Sequence, residues 1–106
     1  MSKVIVLFNL KEGVSVTAYE DWAQNTDLPM VNKLPGVDNF EVLRTISLFG
    51  SDDAAPYQYI EIIDISDMEK FQIALGDETM QRVAQEFQGF ADNPIFIATE
   101  VFDDFV

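Results

Sequence analysis

The sequence predicts an α+β fold, a four-stranded antiparallel sheet with both helices on one face, and three observations lead there. Apolar, β-branched runs at residues 3–10, 37–49, 57–65 and 95–102 read as strands. The two intervals that separate the first from the second and the third from the fourth carry helical spacing behind Ser, Thr or Asp caps. The resulting order, strand, helix, strand, strand, helix, strand, is a split pair of βαβ units, and right-handed crossovers place both helices on one side of the sheet. The third observation is that the strands are apolar on both parities, which requires cover on both faces.

The elements follow in order. The run Lys3–Leu10, KVIVLFNL, is apolar on both parities, with Asn9 closing it in phase with Ile5 and Leu7. Lys11-Glu12-Gly13 makes a turn, and a first helix opens with Ser15 or Thr17 as N-cap, Thr17 and Glu20 having capping-box spacing. Val16, Tyr19, Ala23, Met30 and Leu34 form its apolar stripe, and Thr26 and Asp27 stand where that stripe should continue. Pro29 lacks an N–H for the carbonyl of Asn25 and disfavours α geometry at Leu28, so the helix is expected to kink or restart there, with Asp27 a candidate cap for the restarted piece, before stopping at Leu34-Pro35-Gly36. Residues 37–65 read as a long hairpin turning at Gly50–Pro56. Ser66 and Glu69 have the spacing of a second capping box, Gly76 and Asp77 divide the second helical stretch, and Gly89 is expected to close it. After Asp92-Asn93-Pro94 comes the last strand, residues 95–102, then the tail 103–106.

With 106 residues the chain holds one domain, and a 48% hydrophobic content with nine phenylalanines marks a folded core. The N-terminal run reads as a strand rather than a signal peptide. No apolar run approaches the roughly 20 residues that span a bilayer. Cysteine is absent, which fits a cytoplasmic protein. A net charge of −13 with only six Lys and Arg argues against nucleic acid and against an anionic membrane surface. The acids are scattered rather than blocked, as in a solvated coat.

Histidine is absent too. That removes His-activated nucleophiles, His-ligated zinc or iron and a proximal-His haem. No metal or cofactor is expected, and any proton chemistry falls to carboxylates, Tyr, Lys, Arg or water.

Asp27, Arg44, Glu61 and Glu100 each break an apolar phase. Arg44 is expected either to neutralise Glu61 or a neighbour across the hairpin, or to sit at an exposed edge; Glu100, near a chain end, is expected at the surface. Asp27 could cap the restarted helix, line a pocket, or do both. Tyr19 and Trp22 could pack in the core or clamp a ligand, Tyr57 and Tyr59 could donate hydrogen bonds, and Asn9 could offer an amide at a strand end. The apolar second sheet face calls for a homodimer packed sheet against sheet.

The segments VIVLFNLKEGV, AYEDWAQNTDLP, LPGVDNFEVLR and YQYIEIIDI resemble the RedY-like proteins of prodigiosin-type tripyrrole pigment clusters over nearly the whole chain. The resemblance implies the dimeric α/β-barrel (ferredoxin-like) superfamily, which includes cofactor-free antibiotic-biosynthesis monooxygenases and EthD-like proteins. EthD-like proteins place a histidine in an H-x-P context near the end of the first helix; here that position reads Asp27-Leu28-Pro29, so no histidine role carries over. The resemblance also implies a small cavity between first helix and sheet that takes an aromatic, pyrrole-like intermediate. For such a site the candidate catalytic residues are Asp27 or Glu61 as base and Arg44 for charge. The candidate ligand contacts are Asn9, Tyr19, Trp22 for stacking, Thr26 and Tyr59. A cofactor-free enzyme, a non-catalytic carrier and a cofactor-independent oxygenase all remain open on these residues.

Overall fold

The structure, a computed structural model, describes residues 2–102. Its elements are β1 (Ser2–Leu10), α1 (Val16–Trp22), a π-helical turn (Ala23–Asp27), α2 (Leu28–Asn32), β2 (Val37–Arg44), β3 (Tyr59–Ile65), α3 (Met68–Ala74), α4 (Glu78–Phe90) and β4 (Ala91–Glu100). The strands form one four-stranded sheet in the order β2-β3-β1-β4, and every neighbouring pair is antiparallel. This is the predicted split βαβ pair.

Pleat alternation divides the strand residues between the two faces. Val4, Val6 and Phe8 of β1, Tyr59, Glu61, Ile63 and Ile65 of β3, and Phe40 and Val42 of β2 share the face under the helices, as the register requires. Two buried clusters fill that layer. One joins Val6, Phe8, Tyr19, Ala23, Tyr59 and Phe87; the other joins Val31, Phe40, Ile63, Ile65, Phe71, Met80 and Val83. Residues of the opposite parity, among them Ile5, Leu7, Ile60 and Ile62, point to the second face and are only partly covered, while Leu43, Ile95 and Ile97 there are exposed.

Several boundaries differ from the sequence reading. Ser15 caps α1 by accepting from the amide of Ala18, which leaves the Glu20 side chain free for other partners. The helix does not break at Pro29. Leu28 keeps α geometry at φ −58 and ψ −50, and its N–H donates to the carbonyl of Ala23, five residues back. The widened turn absorbs the missing proline donor. Asp27 is itself helical and makes no cap bond with its side chain. Burial then runs Tyr19, Ala23, Asp27, Val31, with Met30 and Leu34 only partly buried. Four-residue steps overshoot an α-helical turn by about 40° each, and the wider turn brings the stripe back over the sheet.

The long hairpin is shorter than expected. β2 stops at Arg44 and β3 starts at Tyr59, leaving residues 45–58 as a loop whose Ile46 and Phe49 are 95% and 107% exposed. Asp67, not Ser66, caps α3 through the amide of Lys70, and Asp77 caps α4 as anticipated. α4 runs through Gly89 to Phe90 and passes directly into β4. β4 therefore begins before Pro94, and a register shift opposite Phe8, with Asn93 at φ 45, accommodates the extra residue. The tail 103–106 lies outside the described residues. Among the described residues, no helix is long and apolar enough to cross a membrane.

Candidate active site

A cavity of about 290 Å³ lies between the helical layer and the sheet. It is roofed by more than the first helix. The π-turn supplies Asp27, α2 supplies Val31, the turn after α2 supplies Leu34, α3 supplies Phe71, and α4 supplies Met80, Val83, Ala84, Phe87 and Gln88; all four strands form the floor. The lining draws on both apolar clusters, so the cavity occupies their junction. Its inner end holds Asp27 and Glu61, each 5% exposed. Leu75, Ala84, Gln88 and Phe96 line it too but are exposed, and they mark the mouth.

The two carboxyls come from different elements for different reasons. Glu61 lies in β3 opposite Val6 on one side and Val42 on the other, so strand alternation fixes it inward. Asp27 faces inward because the π-turn ends on it. Burial pushes the Asp27 carboxyl up from 3.8 to about 7. Glu61 is raised well above its usual value, first by burial and then by the charge of Asp27, with the nearby Tyr19 hydroxyl acting in the opposite direction. Neither Glu61 Oε2 nor the Tyr19 hydroxyl has a hydrogen-bond partner of acceptable geometry among the described residues. Burial and the Glu61 charge raise the Tyr19 phenol as well. No Lys or Arg lines the cavity, and among the described residues no three metal-ligating side chains come together.

Arg44 does not meet Glu61. It stands opposite Tyr59, one pair beyond Leu43 and Ile60, and reaches helix α1 instead. Its Nε and Nη2 donate to the two carboxylate oxygens of Glu20, both at 2.9 Å, and the Tyr59 hydroxyl donates to Glu20 at 2.7 Å. These bonds, Arg44 first, hold the Glu20 carboxyl below its usual range. Burial and the bond to Glu20 push the Tyr59 phenol up to about 12. Tyr19, Glu20, Gln24, Leu28, Val42, Arg44 and Tyr59 line a separate cleft of about 260 Å³. Tyr19 is common ground, lining this cleft while its hydroxyl lies near Glu61.

The other candidates are placed elsewhere. The Trp22 indole donates to Glu86 at 2.9 Å and packs on Phe87 and Phe90, behind the cavity wall. Asn9 accepts from the amide of Gln58 and donates to the carbonyl of Pro56, tying down the loop. Thr26 is half-buried and lines neither space, and Glu100 is exposed at the end of β4. Of the eight named candidates, the structure gathers Asp27 and Glu61 in one cavity and Tyr19, Arg44 and Tyr59 around another. Sequence reasoning missed Glu20 as the anchor of Arg44 and Tyr59, because its spacing from Thr17 reads as a cap. It missed the mouth as well, since Ala84 and Gln88 continue an ordinary helical face.

The profile of a family described as REDY-like protein HapK matches residues 2–102. Among solved structures, that of HapK from Hahella chejuensis is 29% identical, with a TM-score of 0.76, covering 100% of this chain and 98% of that one. SnoaB from Streptomyces nogalater, described as a cofactor-independent oxygenase, is 13% identical with a TM-score of 0.73 and coverage of 98% and 95%. A protein of Thermobifida fusca described as dimeric and ferredoxin-like is 13% identical with a TM-score of 0.72 and coverage of 94% and 90%. The last two likenesses establish the ferredoxin-like fold alone. No protein with a curated description matches the chain significantly.

Proposed function

This chain belongs to the REDY-like HapK family, and from that premise we propose that it binds a small aromatic, pyrrole-like intermediate of pigment or antibiotic biosynthesis. The observation that carries this reading is the cavity itself, whose apolar walls end on Asp27 and Glu61. Apolar walls take up flat rings, and a few converging polar groups fix their orientation. Pyrrole nitrogens are N–H donors, and Glu61 Oε2 is a buried acceptor without a partner among the described residues. If a reaction follows, a carboxyl held near 7 is suited to exchange a proton at neutral pH.

The working molecule in this reading is a homodimer. Ile5, Leu7, Ile60, Ile62, Ile95 and Ile97 lie on the sheet face away from the helices, and a second copy on a two-fold axis covers them. The helical face, and with it the cavity, stays clear of that contact.

Calorimetry with 2,2′-bipyrrole tests the site. The wild-type protein is expected to bind it, and Ala84→Trp, which fills the mouth from an already exposed position, is expected to abolish binding without changing the fold by circular dichroism. Equal binding by both proteins would place the site elsewhere. Asp27→Asn and Glu61→Gln separate an enzyme from a carrier. Both variants are expected to retain binding of the uncharged bipyrrole; where they do, lost pigment output marks a reaction and unchanged output marks a carrier.

A further inference from the structure

The cavity's charge is one-sided. Its inner end carries two carboxyls, and among the described residues Gln88 is the one other polar lining group and no cationic side chain lines it. Arg44, which pairs with Tyr59 two residues along β3 from Glu61, is held by Glu20 at the other cleft, and Lys3 is paired with Asp64. The remaining polar group near the pair, the Tyr19 hydroxyl, is neutral and without a partner among the described residues, as is Glu61 Oε2. Two buried carboxyls with no countercharge must either retain protons or receive a cation from outside.

Resting on the reading that this cavity is a binding site, we propose that it is selective for nitrogen-containing aromatics that enter as cations, and that it rejects aromatic anions. A protonated nitrogen placed at the inner end supplies the missing countercharge to Asp27 and Glu61 and a donor for Glu61 Oε2. The neutral rings lie against Val83, Phe87 and their neighbours. About 290 Å³ admits a ligand of one or two fused rings. A carboxylate or sulfonate of the same shape would bring a negative charge into an apolar site that holds two acids and no lining cation, in a chain of net charge −13. Such selection by an opposed charge is specificity by repulsion as well as attraction.

Three probes of one ring system test this: 1-naphthylmethylamine, 1-naphthylmethanol and 1-naphthoate, titrated calorimetrically at slightly alkaline pH. The amine is expected to bind at least roughly tenfold more tightly than the alcohol, and the naphthoate not measurably. In the double variant Asp27→Asn, Glu61→Gln, which keeps side-chain shape, the amine and the alcohol are expected to bind alike, with the alcohol little changed. Equal or tighter binding of the alcohol or the naphthoate to the wild-type protein would overturn the proposal. An amine preference that survives in the double variant would overturn it too, because the general surface charge would then be its source. Binding of none of the three would instead remove the binding-site reading beneath it.

Discussion

Asp27 and Glu61 are costly residues to bury, and that cost is measurable as a dependence of stability on pH. Asp27 keeps its proton up to about 7 in the folded chain but releases it near 3.8 when unfolded. Below the lower value both states are protonated and there is no cost. As pH rises between the two, only the unfolded state ionises, so stability falls, and the loss is complete above about 7. At about 1.36 kcal/mol per unit, this amounts to on the order of 4 kcal/mol. Glu61 is shifted in the same direction. The protein is therefore expected to melt higher at pH near 5 than near 8. Asp27→Asn is expected to flatten that slope and to raise the melting temperature at the alkaline end. A wild-type melting profile that climbs with pH would contradict the burial. The pattern of the sequence singled out both acids, since each interrupts an apolar phase. It left their meeting unspecified, because no local rule says which strand position a helix residue will cover.

At the scale of elements, turn chemistry was legible and helix continuity was not. Pro29 signals a break, yet the chain answers with one widened turn, a choice set by what packs beneath rather than by the proline. Gly36 marks a tighter constraint. At φ 88 it lies in the left-handed region, and a Cβ there would run into the backbone carbonyl of Asp67 and come within 2.9 Å of the Phe71 amide. Gly36→Ala is expected to destabilise by about 2 kcal/mol or more, read by urea denaturation. Asn32 ties the same region from the other side. Its side chain donates to the carbonyl of Phe40 at 3.0 Å and accepts from the Phe40 amide at 2.9 Å, acting as a strand partner along the open edge of β2. Asn32→Ala is expected to cost about 1–3 kcal/mol and to speed hydrogen exchange at Phe40 while leaving the exchange of α4 amides unchanged. Ile46 and Leu48 fit the strand pattern beyond the end of β2 at Arg44, and alternation alone cannot show that no partner strand lies beside them.

For the whole molecule, the order of elements alone implied the sheet, its antiparallel pairing and the side on which the helices lie. The apolar second face followed from strands that are apolar on both parities, and Ile62 and Ile97 are indeed on it. What the order could not convey is the cavity, an excess of space where two clusters meet, because volume depends on how side chains fill a junction and not on their sequence spacing. A lysine at Ile62 places a charge in the centre of the proposed contact. Ile62→Lys is expected to sediment as a monomer while the wild-type protein sediments as a dimer, and a monomeric wild-type mass would end the proposal for the second face.

Asp27 and Glu61 are two buried carboxyls in one apolar cavity that no Lys or Arg of the described residues lines. Carbon-13 NMR of the carboxyl groups, followed through a pH titration of the free protein, tests this placement most directly. An Asp27 midpoint near 7 and a Glu61 midpoint well above the usual carboxylate range are expected. Midpoints for both near 4, as for carboxylates in water, would contradict it.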